Sequence, residues 1–100
     1  MNKQMTKKLC YIAGAVTGTD DYIERFEEGA YRMITNGYIP INPIELPHQH
    51  ERTWESYMKE AICAMMLCEA IFMLKGWRQS KGATIEHNLA KKLNYTIIYE

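Results

Sequence analysis

Apolar and polar positions along this chain switch between two periods. Leu9 to Ala13 is an uninterrupted apolar run that stops at Gly14, as expected of a strand buried on both faces that ends where the backbone turns tightly. From Tyr22 to Asn36 the apolar positions Tyr22, Ile23, Phe26, Ala30, Met33 and Ile34 recur at steps of three and four. This predicts an amphipathic helix, with Asn36-Gly37 as its stop signal. Tyr38 to Ile41 reads as a second short strand, closed by Asn42-Pro43 and a loop that carries Pro47, His48 and His50. Trp54 to Cys68 is helical in pattern, with Trp54, Tyr57, Met58, Ala61, Ile62, Met65 and Met66 on one side and Glu55, Lys59 and Glu60 off it. Ala70 to Leu74 is a third strand, Gly76 to Gly82 a loop, Ala83 to Leu93 a helix and Tyr95 to Tyr99 a last strand.

The predicted order is therefore βαβαβαβ. Strands that alternate with helices of this length pair in parallel through right-handed crossovers, which places helices on both faces. The fold class expected is a small three-layer α/β domain, flavodoxin/Rossmann-like, with a mostly parallel four-stranded sheet, residues 1–100 forming one domain. Such sheets bind ligands beyond the carboxyl ends of their strands, where adjacent connections diverge to opposite faces. Three loops converge there: Gly14 to Asp21, Asn42 to Arg52, and Lys75 to Gly82.

Composition narrows the class of partner. One hundred residues, 47% of them hydrophobic, suffice for one core and not for two. Twelve basic and twelve acidic side chains cancel, and no run concentrates one sign, so a nucleic-acid polymer or an anionic membrane is not expected as a partner. Lys3, Lys7 and Lys8 ahead of Leu9 to Val16 imitate a secretory leader, but this apolar stretch is short for one and a turn into a helix follows it. No segment reaches the length of a membrane span. Cys10, Cys63 and Cys68 are odd in number and form no CxxC, which predicts reduced thiols and a cytoplasmic location.

Several residues carry candidate chemistry. Gly14 to Gly18 follows a strand and precedes a helix, so its backbone N–H groups can face an anion or a sugar hydroxyl, or simply make a turn. The stretch Gly76 to Glu86 runs from a strand end into a helix and sets Glu86 in the predicted first turn. A carboxylate there is held ionised by the helix dipole and free N–H donors, which suits a nucleophile; it equally suits an ordinary helix-end stabiliser. Glu60 on the middle helix supplies a second carboxylate, as glycosidic chemistry requires, and Glu69 is a further candidate. Trp77, in a loop on the ligand side, is better placed than Trp54 to stack on a base. Met58, Met65, Met66 and Met73 read as core filling. His48, His50 and Glu51 match no common zinc spacing, so no metal is expected.

Taken together, Tyr11-Ile-Ala-Gly-Ala-Val-Thr-Gly, Gly37-Tyr-Ile-Pro-Ile-Asn-Pro, Trp54, Tyr57-Met58, Cys68-Glu69-Ala70 and Gly76-Trp-Arg-Gln-Ser-Lys-Gly-Ala-Thr-Ile-Glu86 resemble the DUF4406 family across nearly the whole chain. That family is similar to nucleoside 2-deoxyribosyltransferases and 2'-deoxynucleoside 5'-monophosphate N-glycosidases. The resemblance implies a cofactor-free enzyme in which Glu86 attacks the anomeric carbon of a deoxyribose. It further implies that Tyr11 orients Glu86, that Glu60 protonates or positions the leaving base, and that Gly14, Thr17, Ser80 and Gly82 line the sugar and any 5'-phosphate. Trp77 completes the expected substrate-binding set, and Arg78 and Lys81 are available as phosphate cations.

The chain departs from the family pattern in places. YIAGPMTG reads YIAGAVTG, and Glu60 and Glu69 stand where aspartates are usual. These departures leave open a second reading, a non-catalytic nucleotide sensor or accessory module, and a third, a purely structural domain. The shortness of the DUF4406 group relative to the transferases implies a homo-oligomer whose site draws on a second subunit.

Overall fold

The computed structural model describes residues 7–100. Strand β1 (Leu9–Ala13) lies between β2 (Ile39–Ile41) and β3 (Ala70–Met73), and β4 (Thr96–Tyr99) pairs with β3 to complete a sheet of order β2-β1-β3-β4. All three pairings are parallel, and Tyr11 sits opposite Ile41 on one side and Ile71 on the other. The helices α1 (Tyr22–Thr35), α2 (Trp54–Met65) and α3 (Lys81–Lys92) make the crossovers. This is the expected small α/β domain of flavodoxin/Rossmann-like type.

Alternation along the strands divides the core in two. Cys10, Ile12, Ala70 and Phe72 project to one face, where Phe26 and Met33 of α1 cover them. Tyr11, Ala13, Ile71 and Met73 project to the other, against Met65 of α2 and Ala83 and Ala90 of α3. Of the apolar positions expected on α1, Phe26 and Met33 are buried, Tyr22 and Ala30 pack against them partly buried, Ile23 and Ile34 are exposed, and Gly29, which was not expected, is buried. Pro40 occurs in β2, an edge strand, where a missing N–H donor is tolerated.

The structure corrects several expectations. Helix α2 ends at Met65 rather than Cys68, because Leu67 and Cys68 donate to carbonyls three residues back and the chain passes into β3. Helix α3 begins at Lys81, two residues before the predicted Ala83, because Ser80 Oγ accepts the Ala83 N–H at 3.1 Å and starts the helix there. The loops hold two one-turn 3-10 helices, Pro43–Glu45 and Trp77–Gln79. Of the methionines expected as core filling, Met65 and Met73 are buried, Met66 is exposed, and Met58 faces a pocket.

Cys10 and Cys68 are buried thiols and Cys63 is exposed, all three free. Burial pushes Cys10 up to about 12 and Cys68 up to about 11, so neither is a ready nucleophile. Lys3 of the leader-like stretch lies outside the described residues; within them, no helix is long and apolar enough to cross a membrane.

Gly14 leaves β1 directly against Leu74. A Cβ at position 14 would stand 2.9 Å from Leu74 Cδ1 and 3.0 Å from Leu74 Cβ, and the latter is fixed to the backbone. Gly14→Ala is therefore expected to lower the unfolding free energy by about 1–3 kcal/mol. The check is a urea titration, in which the midpoint falls with little change of slope.

Candidate functional site

Strands β1 and β3 are neighbours, yet β1 continues to α1 on one face and β3 to α3 on the other. This is the switch point at which α/β sheets open a crevice. A pocket of about 620 Å³ occupies it, and all three loops expected to converge there contribute: Gly14, Val16 and Thr17 from the first, Pro43, Ile44, His48 and Arg52 from the second, and Ser80 and Gly82 from the third. Helix α2 forms one wall with Trp54, Tyr57, Met58, Glu60 and Ala61.

Tyr11 and Glu86 lie at the sheet side of the pocket. Tyr11 Oη donates to Glu86 Oε2 at 2.8 Å, and the two residues are 1% and 5% exposed. The earlier start of α3 moves Glu86 to the sixth position of the helix. It is therefore not in the first turn, and the expectation that helix-end N–H groups hold it ionised is overturned. Burial instead pushes its carboxyl up to about 7, against a smaller downward pull from the Tyr11 hydrogen bond. Burial, then the neighbouring Glu86 carboxyl, raises the Tyr11 phenol well above its ordinary range, so Tyr11 remains a donor.

Glu60 faces the same space from α2. Its Oε2 accepts the His48 backbone N–H at 2.8 Å, and its Oε1 lies 2.6 Å from His48 Nδ1 and 3.2 Å from His50 Nε2. Burial acts to raise the carboxyl, but the contacts with the two histidines outweigh it and the net shift is downward. The ionised form of Glu60 is thus favoured, which suits the positioning role implied for it better than the protonating one. His48 adopts φ +54°, a conformation that costs a non-glycine residue about 1–3 kcal/mol and persists only where the surroundings impose it. Here the clasp of Glu60 on both its backbone and its ring imposes it.

The remaining expected residues divide. Gly14, Thr17, Ser80 and Gly82 line the pocket, although the Ser80 hydroxyl is already engaged as the cap of α3. Trp77 does not line it. Gly76 takes φ +88° and turns the chain into a 3-10 helix, so Trp77 is buried with its ring 4.2 Å from that of His87. The exposed indole at the pocket is that of Trp54, with Lys81 Nζ 4.2 Å over its ring. Arg78 lies over Trp77 rather than in the pocket. Glu69 is at the opposite end of the sheet, where it accepts the Leu9 N–H.

Among the lining residues not singled out as substrate contacts from sequence are His48, Arg52 and Tyr57. Arg52 Nη1 donates to Tyr57 Oη at 3.1 Å and is the pocket's own cation. Its place in the second converging loop was the available signal.

The raised carboxyl of Glu86 couples stability to pH. Between its ordinary value of 4.5 and about 7 the folded chain keeps a proton that the unfolded chain releases. This contribution is fully present below about pH 4.5 and is lost as pH rises through about 7, an effect of roughly 3 kcal/mol. Glu86→Gln, neutral throughout, is expected to lack that decline and to be more stable than wild type near pH 8. Urea midpoints at about pH 5 and pH 8 for both proteins test this.

No curated protein sequence matches the chain. Residues 8–99 match the model of a family described as a domain of unknown function, DUF4406. With every residue from the first strand to the last inside that match, the chain belongs to the DUF4406 family.

Proposed function

We propose that this protein cleaves the N-glycosidic bond of a 2'-deoxynucleoside or its 5'-monophosphate, or exchanges its base, with Glu86 as nucleophile. The observation that carries this reading is the buried Tyr11–Glu86 pair set in a pocket with a second carboxylate, Glu60, on its α2 wall. The similarity to nucleoside 2-deoxyribosyltransferases that the resemblance to the DUF4406 family implies is the second support for it. The pocket volume is in the range of small-ligand sites.

In the proposed reaction the Glu86 carboxylate attacks C1' of the deoxyribose while Tyr11 holds its other lone pairs in place. The C1'–N bond breaks, its electron pair leaves with the base, and a glycosyl ester forms on Glu86. Glu60, kept ionised by His48 and His50, accepts a hydrogen bond from the base and so positions it. The departing base takes its proton from water at the pocket mouth. Water or a second base then attacks C1' and frees Glu86. Trp54 offers a face for the base, and Arg52 a charge for a 5'-phosphate. The cytoplasm and a homo-oligomer remain the setting proposed for this activity.

A non-catalytic nucleotide-binding module is the second reading. It is favoured by the burial of Glu86, which pushes its carboxyl up to about 7 and so favours the protonated form, which is not nucleophilic.

Base release from a panel of deoxynucleosides and their monophosphates, with and without an acceptor base, separates the two. Under the enzymatic reading kcat/KM rises as pH increases through about 7 and Glu86→Ala costs on the order of a thousandfold or more. Tyr11→Phe costs about a hundredfold and moves the pH midpoint upward, because the hydrogen bond that lowers the Glu86 carboxyl is gone. Nucleotide binding without turnover at any pH would make the protein a sensor.

A further inference from the structure

We propose that His48, His50 and Glu60 form a binding site for a divalent transition-metal ion of the zinc class on the α2 wall of the pocket. The proposal rests on its own observations, although it shares Glu60 with the glycosidic reading. It follows from where each imidazole spends its second nitrogen.

His48 Nε2 lies 3.3 Å from the Ile44 carbonyl oxygen, and His50 Nδ1 lies 2.7 Å from that of Glu51. A carbonyl only accepts, so in the tautomers that answer these carbonyls the two nitrogens carry the hydrogens. In the neutral rings the bare lone pairs are then on His48 Nδ1 and His50 Nε2. Both point at one atom, Glu60 Oε1, from 2.6 and 3.2 Å. A carboxylate also only accepts. In those tautomers three acceptors converge, and the arrangement is satisfied either by ring protons turned toward the carboxylate or by one cation among them.

The cation reading draws on further features. A ring N–H anchored on a backbone carbonyl is the usual outer contact of a metal-ligating histidine. The three ligand atoms lie within 4.8 Å of one another. Tyr57 meets both rings edge to face, at centroid distances of 5.4 and 4.7 Å, which restricts their rotation. The other oxygen of Glu60 is occupied by the His48 N–H, leaving Oε1 as a single-oxygen ligand. The His48 backbone is held in a left-handed conformation by that same contact. Side-chain exposures of 30% for His48, 20% for His50 and 18% for Glu60 leave the cluster accessible without exposing it fully.

Two imidazoles and one carboxylate suit zinc, cobalt or iron rather than magnesium or calcium, which prefer oxygen ligands. Three protein ligands leave at least one coordination position for water or a ligand. Ordinary bond lengths to such an ion require the 2.6 Å ring–carboxylate contact to open to roughly 3.3 Å, a small turn of the Glu60 carboxyl. Sequence spacing conceals the site because its third ligand is ten residues beyond His50 and twelve beyond His48.

Cobalt(II) titrated into the full chain, followed by its visible ligand-field absorption and by equilibrium dialysis, tests the proposal. One ion is expected per chain, displaced by zinc but not by excess magnesium or calcium. His50→Ala and His48→Ala should each weaken it by about tenfold or more, whereas Cys63→Ser, which removes the exposed thiol, should bind as wild type does. In the wild-type chain, zinc should shift the imidazole resonances of His48 and His50 and leave those of His87 in place. Absence of a stoichiometric ion, binding untouched by His50→Ala, or shifts confined to His87 would overturn the site and assign the cluster to protons. The readout uses no nucleoside, so its failure leaves the glycosidic reading standing, and absence of base release does not bear on the ion.

Discussion

Parallel pairing on both sides of β1 is the constraint on which the rest of the structure depends. A strand paired at both edges and covered on both faces has no freedom in where its side chains go: Cys10 and Ile12 must meet α1, and Tyr11 and Ala13 must meet α2 and α3. Tyr11 is thereby buried with a phenolic hydroxyl that needs a partner, since an unpaired buried polar group is costly. Glu86 is that partner. The central hydrogen bond of the site is thus tied to the sheet, and slipping β1 by one residue would send the phenol into the layer beneath α1.

The same arrangement carries a cost in stability. Glu86 occupies a position on α3 between Ala83 and Ala90 where an apolar residue of similar size would pack without a desolvation penalty. Helix α2 is likewise underused as a packing element: Met65 is its one buried residue, while Trp54, Tyr57, Met58 and Ala61 face the pocket. Apolar surface that could have closed the core instead walls a cavity, and a buried carboxyl opens onto it. Natural chains retain such features where the site requires them.

Glu86 and Glu60 show how environment separates two chemically identical groups. The first has one neutral donor and deep burial, and its proton is held up to about 7. The second has a backbone N–H and two imidazoles, and its charge is favoured. A pair of carboxyls pushed in opposite directions is the usual basis for assigning them different tasks. That difference comes from the clasp of the His48–His50 loop on α2 and from the depth of α3 against the sheet.

The order of elements, the buried run of β1, the centre of the core face of α1 at Phe26 and Met33, and the three loops that meet at the pocket were legible in the sequence, because each is set by local periodicity and by turn residues acting over a few positions. The pairing of Tyr11 with Glu86 was available only through resemblance, since 75 positions separate them. What the tertiary structure alone decided lies at helix ends and in side-chain direction. The Ser80 cap moved Glu86 out of the first turn, the left-handed Gly76 folded Trp77 into the core and left Trp54 at the pocket, and the His48 loop closed over Glu60. Each of these turns on a contact across space, which depends on where the backbone has already been placed and leaves no period in the chain to read.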